Sequence, residues 1–387
     1  MECSVIVEKI AQIDKLICEK IEDVKSTNLM SGKAGMCLYL YERYLTTRLP
    51  KYLEMCLNVL DNSFYEFINQ NNINLTYSSG FSGILDVADY ISKSEKIDIG
   101  LKKINAKLEN YLYENAIYYF KKNNYDFLHG GLGVSMYLLN SNSSKINSIV
   151  DCLLSTAKII DNETVAWKSL NNKGAMEYNL GLSHGIPSII VFLSKCIING
   201  VDMKRCSTFL LKTIRFIENH KLINNKSKYS YTTDGKNFSR LAWCYGDLGV
   251  ARSFFIASKA MKNDSLYFKS ISLMQHISKR IDLKENYVVD ASLCHGAAGI
   301  AHIFNLFHKD TNIIEFKELT DYWIDKVIEL GNHEDGNVGY KTWYGTDTGW
   351  RDEIGFLEGL SGIGIVLNSY LYPNKESKWS RFLLLSI

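Results

Sequence analysis

The 387 residues predict an all-α chain, an α/α toroid made of a double ring of seven helical hairpins with glycine-rich corners. Three observations carry this prediction: a glycine block that recurs seven times, an apolar run directly after each block, and only three prolines in the whole chain. A repeat with a period of a few tens of residues sets the architecture before any local assignment.

The blocks are Ser31-Gly32-Lys33-Ala34-Gly35, Gly80-Phe81-Ser82-Gly83, His129-Gly130-Gly131-Leu132-Gly133, His184-Gly185-Ile186-Pro187, Tyr245-Gly246-Asp247-Leu248-Gly249, His295-Gly296-Ala297-Ala298-Gly299 and Glu358-Gly359-Leu360-Ser361-Gly362. Between Gly32, Gly80, Gly130, Gly185, Gly246, Gly296 and Gly359 the steps are 48, 50, 55, 61, 50 and 63 residues, one helical hairpin each. The runs Met36 to Leu45, Ile84 to Ile91, Val134 to Leu139, Ile189 to Leu193, Val250 to Ala257, Ile300 to Phe307 and Ile365 to Leu371 are apolar on more than one face. They read as inner helices buried all round.

The segments between them are one-sided. Ile146, Ile149, Val150, Leu153, Leu154, Ala157 and Ile160 recur at helical spacing, with Lys145, Asp151 and Lys158 off that face, as in an outer helix. Pro50, Pro187 and Pro373 leave room for long helices. Alternating buried and half-exposed helices favour a closed ring over an open superhelix, because closure lets each inner helix bury both flanks. All seven corners then lie at one end, where small residues allow tight turns and inner-helix amides make the mouth locally positive. The first, second and seventh blocks add no obvious ligand and read as packing glycines. We expect one domain over residues 1–387.

Before the fourth, fifth and seventh blocks the chain turns polar, over residues 163–178, 226–240 and 336–352. Thr233-Asp234-Gly235-Lys236, flanked by Tyr229, Tyr231 and Phe238, is a hairpin-type turn. These stretches read as loops or short hairpins around the mouth, with Trp167, Tyr231, Trp343 and Trp350 either touching an extended peptide or packing their own loops.

Composition narrows the partners. A formal net charge of +2, without blocks of like charge, gives no footprint for nucleic acid. Glu2 and Glu8 stand where a signal peptide needs a basic start, and no apolar run reaches membrane-spanning length, so the expected location is the cytoplasm. Of the nine cysteines, Cys37, Cys56, Cys152 and Cys196 lie in apolar helical contexts and read as buried free thiols.

Cys244 and Cys294 differ because they stand at glycine corners, one repeat apart, and His295 follows Cys294. Two thiolates and an imidazole leave a tetrahedral zinc one ligand short, as a catalytic rather than a structural site requires. Buried cysteines with a hydrogen-bonded histidine are the alternative. A thiol bound in the open position would be held as thiolate near neutral pH. His184 stands alone at a corner and suits a general acid or base, or else caps a helix. Asp126, His129, Arg240, Tyr245 and Asp247 complete the polar corner set: Arg240 to stabilise an enolate or orient Asp126, Tyr245 to donate a proton or pack, Asp247 to cap a helix. His220, His276, His302, His308 and His333 read as surface or core residues.

Trp243-Cys244-Tyr245-Gly246 in the fifth block, Cys294-His295-Gly296 in the sixth and His184-Gly185 in the fourth, set in seven glycine-rich hairpins, make the chain similar to the lanthipeptide cyclases and their eukaryotic relatives over nearly its whole length. The resemblance implies Zn2+ on Cys244, Cys294 and His295, with His184, Asp126, Arg240 and Tyr245 as catalytic residues. It implies addition of cysteine thiols to dehydroalanine or dehydrobutyrine in a dehydrated precursor peptide, forming lanthionine or methyllanthionine. His129 departs from the family, where that position is often acidic. The family also implies a complex with a dehydratase and a membrane transporter, which would place the protein at the membrane periphery. Glutathione addition to dehydroamino acids and a non-catalytic peptide-binding toroid are the rival readings. A glycosidase would need paired carboxylates and a terpene cyclase an aspartate-rich cluster, and neither pattern appears.

Overall fold

In every glycine block a helix begins at the residue after the leading glycine. The computed structural model describes residues 3–68, 73–97, 106–170, 174–223, 225–373, 375 and 377–387. Among them are α1 (Cys3–Lys20), α2 (Lys33–Thr47), α3 (Pro50–Ile68), α4 (Phe81–Glu95), α5 (Ala106–Lys121), α6 (Gly131–Asn140), α7 (Ile146–Ser155), α8 (Ile186–Ile198), α9 (Met203–Asn219), α10 (Asp247–Met261), α11 (Asp264–Ile277), α12 (Ala297–Thr311), α13 (Ile314–Glu329) and α14 (Leu360–Leu371). The helices that follow glycine blocks are α2, α4, α6, α8, α10, α12 and α14. As expected they are buried on all sides: every residue of α2 from Lys33 to Arg43 and of α10 from Asp247 to Ser258 is shielded from solvent. The intervening helices bury one stripe, such as Cys206, Leu210, Thr213, Ile214 and Ile217 of α9. Pro50 and Pro187 sit in first turns and Pro373 follows α14, all positions where a missing N–H does no harm.

The chain divides into two compact units. The first comprises Met1–Asn74, Ser78–Lys102 and Asp282–Trp379, and the second Leu75–Tyr77, Lys103–Ile281 and Ser380–Ile387. In the first, α12, α14, α2 and α4 pack side by side in that order, with α13 on α12, α1 on α14 and α3 on α2. The N-terminal helix therefore serves as the outer partner of α14. In the second, α6, α8 and α10 pack side by side, backed by α5, α9 and α11.

Within each unit the corners are zipped to one another by backbone hydrogen bonds. In the first, Cys294 N–H donates to Leu357 O at 3.1 Å, Leu357 N–H to Met30 O at 2.9 Å, and Met30 N–H to Ser78 O at 3.2 Å. In the second, Phe127 N–H donates to Ser183 O at 3.2 Å and Ser183 N–H to Cys244 O at 3.3 Å. These bonds need close approach, which the second glycine of a block provides. A Cβ on Gly35 would lie 2.6 Å from the Phe356 Cβ, and one on Gly249 2.6 Å from the Leu182 Cβ. Gly246, at φ +88°, adds a backbone requirement that other residues meet poorly.

Three expectations change, and the choice between two readings of Trp167 is decided. The outer helix after the third block stops at Ser155: Thr156 turns its hydroxyl back to Leu153 O, the chain enters a two-stranded ribbon, and Ile160 is exposed. Apolar periodicity ran past the helix end to Ile160, just before Asp161 closes a turn by accepting the amides of Glu163 and Thr164. The inner-helix amides are not free donors, since the first helical N–H is taken by the carbonyl of the residue six before the glycine: Ser26, Asn74, Asn124, Asn179, Asp290 and Glu353 for α2, α4, α6, α8, α12 and α14. That saturation weakens the positive field expected at the mouth. Asp247 is no cap; its carboxylate accepts from the amides of Lys228 and Tyr229 and pairs with Arg280, tying down the loop before α10. Trp167 is fully buried and donates to Leu153 O, so it packs rather than lines a surface.

The polar stretches are short ribbons or loops. Strands β1 (Lys158–Ile159) and β2 (Val165–Ala166), and β3 (Ser169–Leu170) and β4 (Met176–Glu177), pair antiparallel before α8, and β5 (Thr342–Trp343) pairs with β6 (Trp350–Arg351) before α14. Residues 171–173 of the stretch 163–178 lie outside the described residues. The turn at residues 233–236 closes through Gly235 N–H to Thr232 O, but no strand pair flanks it.

Candidate functional site: a carboxylate–histidine dyad and a cysteine–histidine–glutamate cluster

The second unit assembles the first group. Asp126 lies four residues before Gly130, and its Oδ1 accepts the amides of Leu128 at 2.7 Å and His129 at 2.9 Å. That turn aims Oδ2 at Nδ1 of His184, 2.7 Å away. His184 lines a cleft of about 930 Å³ with Asp126, His129, Asn179 and Tyr245, and Nε2 is its ring nitrogen not bonded to Asp126. The size lies in the range of ligand sites. Tyr119 and Lys122 at the end of α5 and Leu170 on β3 form its outer wall.

Electrostatics poise the pair. Burial pushes the His184 imidazolium down, but its hydrogen bond to Asp126 and that carboxylate's charge outweigh burial and hold it above the ordinary histidine value. Burial lifts Asp126, and the same bond and charge bring it below the usual carboxylate range. The Tyr245 phenol is pushed up to about 12, by burial first, so it stays protonated. Its oxygen accepts from Asn179 Nδ2 at 3.2 Å, and its ring lies 5.7 Å from that of His184. His129 is exposed, and its ring stacks on His184 at 6.0 Å.

Arg240 does not pair with Asp126: among the described residues no hydrogen bond or ion pair joins them, and the carboxylate serves His184 instead. The Arg240 amide receives no carbonyl but donates to the Tyr231 hydroxyl. Cys244 is buried at the corner before α10, where its charge as thiolate would raise both His184 and Tyr245. His220, His276 and His308 are engaged with backbone carbonyls, His302 is buried against Trp379, and His333 lies against Trp350.

The first unit assembles the second group. Cys294, His295 and Glu358 bring one donor atom each to within 4.8 Å of one another. His295 Nδ1 is 3.9 Å from Glu358 Oε2, an oxygen that is buried without a hydrogen-bond partner. On the other side of the ring, His295 Nε2 lies 3.3 Å from Asp290 Oδ2. A thiol, an imidazole and a buried carboxylate oxygen lacking a donor fit a borderline-soft divalent cation, and zinc accepts this S, N and O set. The three-residue cluster contains Cys294 and His295 but not Cys244, which belongs to the other unit.

Glu358 and Asp290 were missed by sequence reasoning. The seventh block reads as packing only, yet it carries Glu358 to the cysteine–histidine pair. A signal was available in the register: the residue before the leading glycine is His129, His184, Tyr245, His295 and Glu358 in the last five blocks, and the residue before that is cysteine in the fifth and sixth.

The comparisons with known proteins agree over nearly the full chain. The family of lanthionine synthetase C-like proteins matches residues 23–384. Nisin biosynthesis protein NisC of Lactococcus lactis subsp. lactis is 24% identical over 412 residues, covering 98% of this chain and 94% of the relative. The solved structure of nisin cyclase matches with a TM-score of 0.77 at 20% identity, covering 96% of each chain. This likeness bears out the expected fold class, and the match of the family's description to 23–384 shows that the chain belongs to the lanthionine synthetase C-like family.

Proposed function

We propose that this protein is a zinc-dependent cyclase that adds cysteine thiols of a dehydrated precursor peptide to dehydroalanine or dehydrobutyrine, closing lanthionine and methyllanthionine rings. Membership of the lanthionine synthetase C-like family and similarity to NisC support the reaction class. The observation that carries the mechanism is the Asp126–His184 bond of 2.7 Å at the wall of the cleft. We read residues 1–387 as one catalytic domain on the strength of the family match over 23–384.

The reaction forms a C–S bond at the β-carbon and a C–H bond at the α-carbon, while the thiol loses its proton. Bound zinc would supply a Lewis-acid site that lowers the thiol pKa from its usual ~8.5. Cys294, His295 and, as proposed, Cys244 would hold it, since three protein ligands leave the fourth position of a tetrahedral zinc to the substrate thiol, and Glu358 stands beside Cys294 and His295 as a neighbouring carboxylate. His184, whose imidazolium Asp126 favours, is the group to protonate the α-carbon through Nε2. Its neighbour Tyr245 keeps its proton and can donate a hydrogen bond to the developing enolate oxygen, an interaction that strengthens as charge builds there. Arg240 is assigned to enolate stabilisation from its motif position.

The peptide would lie along the cleft between Tyr119, Lys122 and Leu170. No helix among the described residues is long and apolar enough to cross a membrane. A complex with a dehydratase and a transporter belongs to this proposal and is testable by co-purification.

Incubation of the zinc-loaded protein with a dehydrated, cysteine-containing precursor, followed by thiol alkylation and mass measurement, tests the reading. Cyclisation removes alkylatable thiols without changing peptide mass. Retention of every thiol contradicts the proposal, and a mass gain of one glutathione per site in the presence of that thiol points instead to intermolecular addition.

A further inference from the structure

The same turn closes three of the corners, and one of them carries a charge that the turn does not need. At the third corner Asn124 accepts the Asp126 amide through Oδ1 at 3.2 Å, and its carbonyl accepts the first helical amide, that of Gly131, at 3.2 Å. At the fourth, Asn179 does the same for Gly181 at 2.8 Å and Ile186 at 2.9 Å. At the sixth, the residue in this position is Asp290: Oδ1 accepts the Ser292 amide at 2.9 Å and its carbonyl accepts Ala297 N–H at 3.0 Å. Neutral asparagine suffices for the turn twice, so the sixth corner's second oxygen has another purpose.

That oxygen, Oδ2, lies 3.3 Å from His295 Nε2 and accepts the backbone N–H of Trp343, on β5, at 3.0 Å. The Asp290 side chain is fully buried. An amide nitrogen in its place would face two donors, so only a carboxylate satisfies both. Hydrogen bonding to Oδ2 places the ring proton on Nε2 and leaves the lone pair on Nδ1, the nitrogen 3.9 Å from Glu358 Oε2. A carboxylate behind a ligating imidazole fixes its tautomer and ring orientation and raises its donor strength.

We propose that Asp290 is the positioning residue of the cysteine–histidine–glutamate cluster: it selects Nδ1 of His295 as the metal-facing nitrogen and pins the β5–β6 ribbon to the same oxygen. The inference rests on the metal reading of that cluster under the proposed function. Asp290 touches no reacting atom. Its action passes through His295 on one side and through the backbone of Trp343 on the other.

Zinc affinity of the full-length wild type, Asp290→Asn, Cys294→Ala and His295→Ala, measured by competition with a chromophoric chelator, tests the inference. Asp290→Asn keeps the turn acceptor and should keep one zinc at saturating metal, with affinity lowered about 10–100-fold. Wild-type affinity in Asp290→Asn alone, with Cys294→Ala and His295→Ala impaired, overturns the positioning role and leaves the metal reading standing. Wild-type affinity in all three variants overturns both. A second measurement needs no variant: in the wild type loaded with ¹¹³Cd and labelled with ¹⁵N-histidine, coupling should appear to His295 Nδ1 with a proton on Nε2. Coupling to Nε2 overturns the inference.

Discussion

His184 and His295 occupy the same register, one residue before the leading glycine of the fourth and sixth blocks, and each faces a carboxylate, yet opposite ring nitrogens are held. The partner of His184 is Asp126, supplied by the third corner, and it takes Nδ1. The partner of His295 is Asp290, supplied by its own corner, and it takes Nε2. His184, at the wall of a cleft, therefore keeps Nε2 as its other nitrogen, and His295 keeps Nδ1, 3.9 Å from Glu358 Oε2. One repeat position presents a different ring nitrogen in each unit, and under the proposed function one histidine serves as the proton-transfer group and the other as the metal-facing group. The difference lies in where the supporting carboxylate comes from.

The largest expected effect that breaks this comparison is at His184. His184→Gln should lower the rate of ring closure about 10²–10⁴-fold, the usual contribution of a positioned acid or base, when free thiols are counted over time. A smaller loss would mean that another group protonates the α-carbon.

Asp126→Asn comes next. Asp126 raises the pKa of His184, so a reaction needing protonated His184 loses rate as pH rises through that raised value. Removing the carboxylate lowers the pKa, and the alkaline limb of the pH–rate profile should move to lower pH. An unmoved limb, with the rate at low pH unchanged, would detach Asp126 from His184 function.

Tyr245→Phe removes a single hydrogen bond, worth about 0.5–1.5 kcal/mol, so ring closure should slow by no more than about tenfold. A loss as large as that of His184→Gln would make Tyr245 the acid. Trp167→Ala acts on folding rather than on chemistry: a fully buried indole with its N–H bonded to Leu153 O should cost about 3–5 kcal/mol in denaturant unfolding. Unchanged stability there, together with slowed ring closure, would return Trp167 to the peptide surface.

Much of the fold was legible because the glycines answer to a steric need repeated at each corner. Gly35 against Phe356 and Gly249 against Leu182 tolerate no Cβ, and a need that recurs leaves a period in the sequence. The inner helices were legible for a related reason, since burial on all sides admits few charges. Where α7 ends was not, because Ala157 and Ile160 extend the helical spacing while the chain has already turned into β1.

At the site, the cysteines and corner histidines announced themselves by residue type. Asp290 and Glu358 did not, because a lone carboxylate in a polar loop resembles any solvated acid until the fold removes its water. Glu358 could be found by aligning the blocks on their glycines; Asp290 needs its second oxygen to be seen between a ring N–H and the Trp343 amide. Whether Asp126 would serve Arg240 or His184 stayed open in the sequence, which offers no means of ranking two partners for one carboxylate; the structure pairs it with His184.

The division of labour between the two histidines is tested most directly by measuring bound zinc and ring closure on the same preparations of His184→Gln and His295→Gln. The account predicts one equivalent of zinc and lost ring closure for His184→Gln, and loss of both for His295→Gln. Zinc missing from His184→Gln, or retained at full affinity by His295→Gln, would contradict it.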